Sequence, residues 1–175
     1  MRVTTASLIL LQLVILSGCL ADESLKTTLP SVGARMTPLQ RITERISRQG
    51  HVNDPNTPRP LLTLSEFFDG NELAGSIGCN LIPTPEPAEF RSQFARIAAR
   101  SDVADIRVQI TDFDDPAWPF SDTVWVITNA APEEVRLWFD ERLRPDDCWQ
   151  GWTAGCKFEP YTLPAGMHPI ACWWD

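Results

Sequence analysis

The feature that most limits how this 175-residue chain can fold is the apolar run at its start. Met1 and Arg2 are followed by residues 3–16, a nearly unbroken series of apolar side chains. A run of about 14 residues is too short for a transmembrane helix, which needs roughly 20, but it suits the apolar core of a secretory signal peptide. We therefore expect residues 1–18 to be a signal peptide and the fold to be built from the rest of the chain.

The apolar run ends in LSGC at residues 16–19, which resembles the lipobox of bacterial lipoproteins. The resemblance implies that Cys19 carries a diacylglyceryl group and becomes the new N-terminus. Two or three acyl chains make the anchor effectively permanent, because each buried methylene contributes about 0.8 kcal/mol. Residue 20 is Leu and not the Asp that retains enterobacterial lipoproteins in the inner membrane, so outer-membrane anchoring facing the periplasm is expected in a Gram-negative cell. Two alternatives stay open: a plain secretory signal, and a translation start at Met36.

Residues 19–60 have the composition of a tether, rich in Thr, Ser, Pro, Arg and Asn, which cannot bury a core. One short segment with regularly spaced apolar residues interrupts this tether. Leu39, Ile42 and Ile46 follow one another at helical spacing and predict a short amphipathic helix. The remaining residues, 61–175, are expected to form one globular domain.

Charge divides the chain at the same boundary. Residues 61–175 carry eight basic and nineteen acidic side chains, a net charge of −11, whereas residues 19–60 carry six basic and four acidic ones. Nucleic-acid binding depends on a basic surface, so this class of function is excluded. An acidic domain favours cationic partners, either basic proteins or divalent metal ions, although acidity also serves solubility.

The periodicity of residues 61–175 predicts an α+β domain. Apolar residues at helical spacing predict helices over 85–100 and from Pro132 to about Leu143, and alternating or β-branched runs predict a strand hairpin over 106–110 and 123–128. Further strand candidates lie at 76–82, 149–153, 158–163 and 169–174. The resulting β-α-β-β-α-β order, with extra C-terminal strands, is typical of the ferredoxin-like split sandwich, in which two helices cover one face of an antiparallel sheet.

Four cysteines remain once Cys19 is lipidated, and an even number in an oxidising envelope predicts two disulfides. Cys148 and Cys156 bracket the turn-like QGWTAG, which favours this pair and leaves Cys79 with Cys172. Two alternatives are weighed against the disulfides. They are a nucleophilic Cys79 activated by His168, and a metal site without the close cysteine spacing of structural zinc sites, made of Cys148, Cys156, His168 and Cys172.

An acidic loop lies between the two strands of the predicted hairpin. Its carboxylates are those of Asp112, Asp114, Asp115 and Asp122. Carboxylate oxygens are ligands for Ca²⁺, but the D-x-D-D-P pattern lacks the glycine and the distal Glu of an EF-hand loop. We therefore favour a solvated acidic turn and expect no cofactor, with a divalent ion as the alternative.

All seven tryptophans fall between residues 118 and 174. Trp173 and Trp174 are adjacent, so on a strand their rings point to opposite faces of the sheet. One of them therefore faces the side without helices. Together with other rings it would form an aromatic patch for a glycan or a protein partner, made of Trp118, Trp149, Trp152, Trp173 and Trp174. In the alternative, a covering segment turns these rings into ordinary core.

Three strings of the domain are similar to blocks shared by a family of small uncharacterised bacterial proteins: LTLSEFFDGNELAGSIGCNL, DVADIRVQITDFDDPAWPFSDTVWVIT and PAGMHPIACWWD. The resemblance spans roughly residues 62–175 and includes Cys79. It implies no established activity, so it brings no catalytic residue to this chain.

These patterns predict a lipid-anchored protein of the cell envelope that binds a protein or glycan and is not an enzyme. GxSxG, HExxH and phosphate-binding glycine motifs do not occur in the sequence. Two alternatives remain. One is an envelope hydrolase or metal-dependent enzyme that uses the loop from Asp112 to Asp122, and the other is an immunity-like protein that neutralises a basic toxin through charge complementarity.

Overall fold

A computed structural model describes residues 35–175, and the predicted signal peptide and Cys19 lie outside this range. In chain order its helices are α1 (Pro38–Ser47), α2 (Leu64–Phe68), α3 (Pro87–Ala98) and α4 (Pro132–Leu137), followed by a 3-10 turn at Glu141–Leu143. Its strands are β1 (Leu61–Leu62), β2 (Val103–Gln109), β3 (Thr123–Thr128), β4 (Asp147–Gln150) and β5 (His168–Trp173). The strands form one antiparallel sheet in the order β1-β2-β3-β5-β4.

Strand β3 is the centre of the molecule. It pairs with β2 on one side and with β5 on the other, and all six of its residues are buried. Its β-branched and aromatic residues suit a strand that is covered on both faces. Val124 and Val126 point to the helices and join the main core, whereas Trp125 and Ile127 point to the opposite face and form a second, smaller core.

The main core lies between the sheet and the helices. Helix α3 begins with Pro87 at a position where its missing N–H costs nothing, and it buries Phe90, Phe94 and Ile97 along one stripe. The Trp174 ring meets the rings of Phe90 and Phe94 edge-on, with centroids 5.4 and 6.2 Å apart. Such edge-to-face pairs stabilise a core beyond the area they bury.

Helix α1 belongs to this core. Thr37 and Gln40 form a reciprocal capping box at its start, and Ile42 and Ile46 are each 2% exposed in the main core. The helix expected from the spacing of Leu39, Ile42 and Ile46 is therefore present, but it is not part of a free tether. The folded unit begins at Arg35 and not at residue 61, because burying the two isoleucines removes apolar surface from water.

No helix within residues 35–175 combines the length and the apolar character needed to cross a bilayer.

The α+β class and the β2–β3 hairpin are confirmed. The split sandwich is not, because β1 pairs directly with β2, whereas that topology places another strand between them. Residues 76–82 form a loop and not a strand, since Gly78 turns the backbone at a φ of +60°. Residues 158–163 are irregular as well. They cover the second face of the sheet and do not extend it.

Candidate functional site

The face of the sheet opposite the helices is built around Trp125. This ring is fully buried, and its indole N–H donates to the Gln109 side-chain oxygen at 3.1 Å. Trp152 and Phe158 pack against it with ring centroids 4.7 and 5.5 Å away, and Trp149 does so at 6.3 Å. Trp125 thus anchors a layer of aromatic side chains supplied by β4 and by the segment that follows it.

Residues 151–167 pass over this face without regular secondary structure, apart from one isolated bridge at Phe158. Their apolar side chains are only partly buried, so they cover the sheet while remaining in contact with solvent. We call this surface the aromatic face. It consists of six half-buried side chains, Trp149, Trp152, Phe158, Tyr161, Leu163 and Met167.

Two residues of β2, Asp105 and Arg107, hold the Tyr161 side chain in position. Its hydroxyl donates to Asp105 at 2.8 Å, and the guanidinium of Arg107 lies 5.3 Å from the centre of its ring. Burial, followed by the hydrogen bond to Asp105, raises the pKa of Tyr161 to about 12. The ring is therefore a neutral and firmly positioned member of the aromatic face.

The carboxylate of Glu159 ties the covering segment to the rest of the fold. It accepts hydrogen bonds from Arg45 Nη2 at 2.6 Å, from Gln49 Nε2 at 2.7 Å and from the Leu61 amide at 2.9 Å. The bond from Arg45 to Glu159 is the main reason that the pKa of Arg45 is raised. One side chain thus joins α1, the edge strand β1 and the cover of the aromatic face.

The five tryptophans predicted as a patch fall into two groups. Trp118 and Trp174 are buried in the main core, where their indole N–H groups donate to backbone carbonyls of Phe67 and Leu143. Trp149, Trp152 and Trp173 are half-buried. The patch as predicted therefore loses Trp118 and Trp174, because these two large rings fill the space between the sheet and the helices.

Three of the four carboxylates of the acidic loop accept hydrogen bonds. Asp122 accepts from the hydroxyls of Thr111 and Thr123 at 2.6 and 2.7 Å. Asp114 accepts from Asn53 at 2.5 Å, and Asp115 accepts from the Ala117 amide at 2.7 Å. Asp112 forms an isolated bridge with Phe120 through its backbone. Such bonds shape and close the loop, and the structure does not gather its carboxylates into one site.

The alternative cysteine and histidine sites are not assembled either. Among residues 35–175, no three His, Cys, Asp or Glu side chains lie close enough to hold a metal ion. His168 pairs with Thr128 at one end of β3, whereas the loop that contains Cys79 joins the sheet at Ser121. Ser121 and Thr128 are seven positions apart in extended chain, a distance of roughly 23 Å. His168 instead donates to the Ala130 carbonyl oxygen through Nε2 at 3.0 Å.

The four cysteines between residues 35 and 175 are free thiols. Cys156 lines a cavity of about 500 Å³ with Arg59 and Thr111, beside β1. Cys148 lies on β4 at the opposite edge of the sheet, four strand spacings or roughly 19 Å away, which is too far for the predicted bond. Cys148 instead faces Cys172, the residue expected to pair with Cys79.

Sequence reasoning missed two residues that build this site, Glu159 and Tyr161. Both lie in a stretch, KFEPY, that the sequence predicted as a strand. The available signal was an acidic residue placed between aromatic ones in a chain with a single tyrosine. The partners of Glu159 lie more than 90 residues away in sequence, and the partner of Tyr161 lies 56 residues away, so no local pattern identifies them.

The aromatic face and the antiparallel sheet, as far as Cys172, lie within a region that this chain shares with a protein family. Residues 37–172 match the sequence profile described as the "Uncharacterized protein YfbO family", so the chain belongs to that family. "Uncharacterized protein YfbO" of Escherichia coli (strain K12) is 51% identical over 140 residues, which cover 80% of this chain and all of that relative. No solved structure matches the chain. The resemblance to a family of small uncharacterised bacterial proteins is thus confirmed.

Proposed function

We propose that this protein is a lipid-anchored protein of the cell envelope, exposed to the periplasm, whose aromatic face binds a cationic protein partner. The anchor is Cys19 in the LSGC motif, which follows a signal-like apolar run. The folded unit begins at Arg35.

The observation that carries the binding proposal is that apolar side chains are less completely buried on one face of the sheet than on the other. On the helix side, fully buried residues such as Phe90, Phe94 and Trp174 far outnumber the partly buried ones, which include Phe113 and Trp138. On the other side, six partly buried large apolar side chains share one surface and outnumber the four buried residues beneath them. Aromatic surfaces that are neither buried nor scattered are typical of binding sites, because rings supply large contact area at low entropic cost.

Charge selects the class of partner. The folded unit, residues 35–175, carries 13 basic and 21 acidic side chains, a net charge of −8, which attracts cationic proteins and repels nucleic acids and anionic lipids. The enzymatic alternative has less support, because Asp114, Asp115 and Asp122 accept hydrogen bonds from neighbouring groups and the loop carboxylates are not gathered into one site. The immunity-like alternative is a special case of the proposal, in which the cationic partner is a toxin.

Photo-crosslinking in living cells tests the binding surface without disturbing the packing beneath it. A photoreactive amino acid replaces Ala154 on the covering segment, and the matched control replaces Ala95 on the outer side of α3; both alanines are exposed. We expect an adduct from position 154, none from position 95, and weaker crosslinking as salt rises. Equal labelling at the two positions, or adducts at neither, would refute the aromatic face as the binding surface.

The anchor is tested separately by labelling cells with an alkyne fatty acid and fractionating their membranes. We expect label and membrane association in the parent chain and loss of both in Cys19→Ala. A protein that begins near Met36 and stays in the soluble fraction would overturn the envelope location while leaving the crosslinking result to decide on the binding surface.

A further inference from the structure

Two cysteine side chains meet across the last pair of strands. In the antiparallel register of β4 and β5, Cys148 lies directly opposite Cys172. Both side chains face the helices: Cys172 is a fully buried member of the main core, and Cys148 packs against that core while half-buried. The two thiols are therefore neighbours in the folded chain, although 23 residues of sequence separate them.

The position within the ladder suits a covalent bond. The Gly151 amide donates to the Pro169 carbonyl at 2.9 Å, which continues the same register by one residue. Hydrogen-bonded and non-hydrogen-bonded pairs alternate along an antiparallel ladder, so Cys148 and Cys172 occupy a non-hydrogen-bonded site, where Cα atoms lie about 4.5 Å apart. Disulfides need Cα atoms roughly 4.4 to 6.8 Å apart, and this pair falls inside that range.

We propose that Cys148 and Cys172 form a cross-strand disulfide under oxidising conditions. The oxidant is a small-molecule or protein disulfide. The Cys148 thiolate attacks one of its sulfurs, which forms a mixed disulfide and releases one thiolate. The Cys172 thiolate then attacks the sulfur of Cys148, closes the cross-strand bond and releases the second thiolate. Two cysteine thiols lose two electrons and two protons, and the oxidant becomes two thiols.

The order of the two steps follows from burial. Cys172 is fully buried, whereas Cys148 is half-buried and open to an oxidant. Burial, and to a lesser extent the neighbouring Cys148 thiol, raises the pKa of Cys172 well above its usual range. Cys172 therefore reacts only with a sulfur delivered next to it, and Cys148 delivers that sulfur.

The bond would act on the binding surface of the molecule. It joins the short edge strand β4 to β5, and the loop it closes contains the whole covering segment, residues 151–167. Fixing both ends of this segment limits the motion of the aromatic face. The geometry of the pair does not depend on the proposed function, but its oxidation in the cell depends on export.

The test uses the full-length chain purified in detergent and equilibrated with oxidised and reduced glutathione. Samples are quenched in acid and denaturant, alkylated and digested without reduction by chymotrypsin, which cuts after Trp149 and Trp152 and so separates Cys148 from Cys156. We expect one linked peptide pair, containing Cys148 and Cys172, with Cys79 and Cys156 alkylated. The Cys148→Ser variant should lose the linkage, and the matched Cys156→Ser variant should keep it.

Three results would overturn the proposal. One is a linkage of Cys148 to Cys156, another is a linkage of Cys172 to Cys79, and the third is complete alkylation of Cys148 and Cys172 even in oxidised glutathione alone. The same analysis on protein extracted from acid-quenched cells separates this proposal from the envelope location. An envelope-bound chain with reduced Cys148 would contradict the disulfide, whereas a cytoplasmic chain would contradict the location and leave the purified protein to decide the bond.

Discussion

Replacing Glu159 with alanine is expected to weaken three attachments at once. Its carboxylate receives Arg45 from α1, Gln49 from the end of that helix and the backbone amide of Leu61 on β1. Alanine leaves all three donors without this acceptor. Glutamine keeps one side-chain oxygen but removes the charge, so Glu159→Gln should retain part of the attachment.

The magnitude follows from the burial of each donor. Leu61 is 1% exposed, and a buried amide without an acceptor costs about 1–3 kcal/mol. The Arg45 and Glu159 side chains are 19% and 11% exposed, and Arg45 keeps its second partner Glu66 at 3.2 Å. The loss at Arg45 is therefore smaller than the 3–5 kcal/mol of a fully buried pair, about 1 kcal/mol. Together Glu159→Ala should lower the free energy of unfolding by about 3 kcal/mol, and Glu159→Gln by about half as much.

Equilibrium unfolding in urea measures these differences, provided that the dependence on denaturant stays the same between variants. The matched control is Glu44→Ala, since Glu44 pairs with Arg48 at 4.0 Å and the two side chains are 58% and 64% exposed. The control should change the free energy of unfolding by less than about 0.5 kcal/mol. If Glu159→Ala costs no more than Glu44→Ala, the view of Glu159 as the tie between α1, β1 and the cover is refuted.

Three further predictions concern single residues. Trp174→Ala should lower the free energy of unfolding in urea by about 4 kcal/mol, because it empties a site between three phenylalanine rings; a loss below about 2 kcal/mol would contradict this packing. In the same assay, Gly78→Ala should lower the free energy of unfolding by about 2 kcal/mol more than Gly151→Ala. Both glycines have a positive φ, but of the two only Gly78 would place a Cβ against an aromatic ring, 2.6 Å from Phe90 Cζ. Equal losses of free energy would show that the Phe90 ring moves aside. The single tyrosine should ionise near pH 12, as followed by phenolate absorbance, and Asp105→Asn should lower that pKa. Folding raises this pKa, so the associated stability is present below the ordinary value near 10 and is lost as pH rises to about 12; ionisation near pH 10 in the native chain would argue against the burial of Tyr161.

The sequence predicts those helices and strands that can be recognised without knowing which other residues they pack against. Strand β3 is dense in β-branched residues and occupies the predicted residues 123–128. Helix α3 follows from Phe90, Phe94 and Ile97 at helical spacing. Both signals are local, because burying one face or one stripe fixes the period of the apolar residues.

The order of the strands could not be predicted in the same way. Strand β1 has two residues, too few to show any period, and it exists because it pairs with β2 and because Glu159 accepts the Leu61 amide. Missing this strand shifted the first strand of the predicted topology to residues 76–82. The error therefore came from a contact between residues distant in sequence and not from a misread propensity.

In the candidate site, too, the sequence predicts the local features but not those that depend on contacts between distant residues. The alternation of Trp173 and Trp174 between faces follows from strand geometry, and Trp174 does turn to the helices while Trp173 stays half-buried. Which rings remain in contact with solvent was not predictable, because it depends on the path of residues 151–167 over the sheet. That path is set by Trp125 beneath it and by Glu159 at the edge.

The central position of β3 has a consequence for the timing of folding. Its neighbour β5 is the last strand of the chain to be made, and Trp174 just beyond it fills the main core. Until residues 168–174 have been made, one edge of β3 has no hydrogen-bonding partner and the main core lacks the Trp174 ring. The domain therefore cannot be completed piece by piece from its N-terminus.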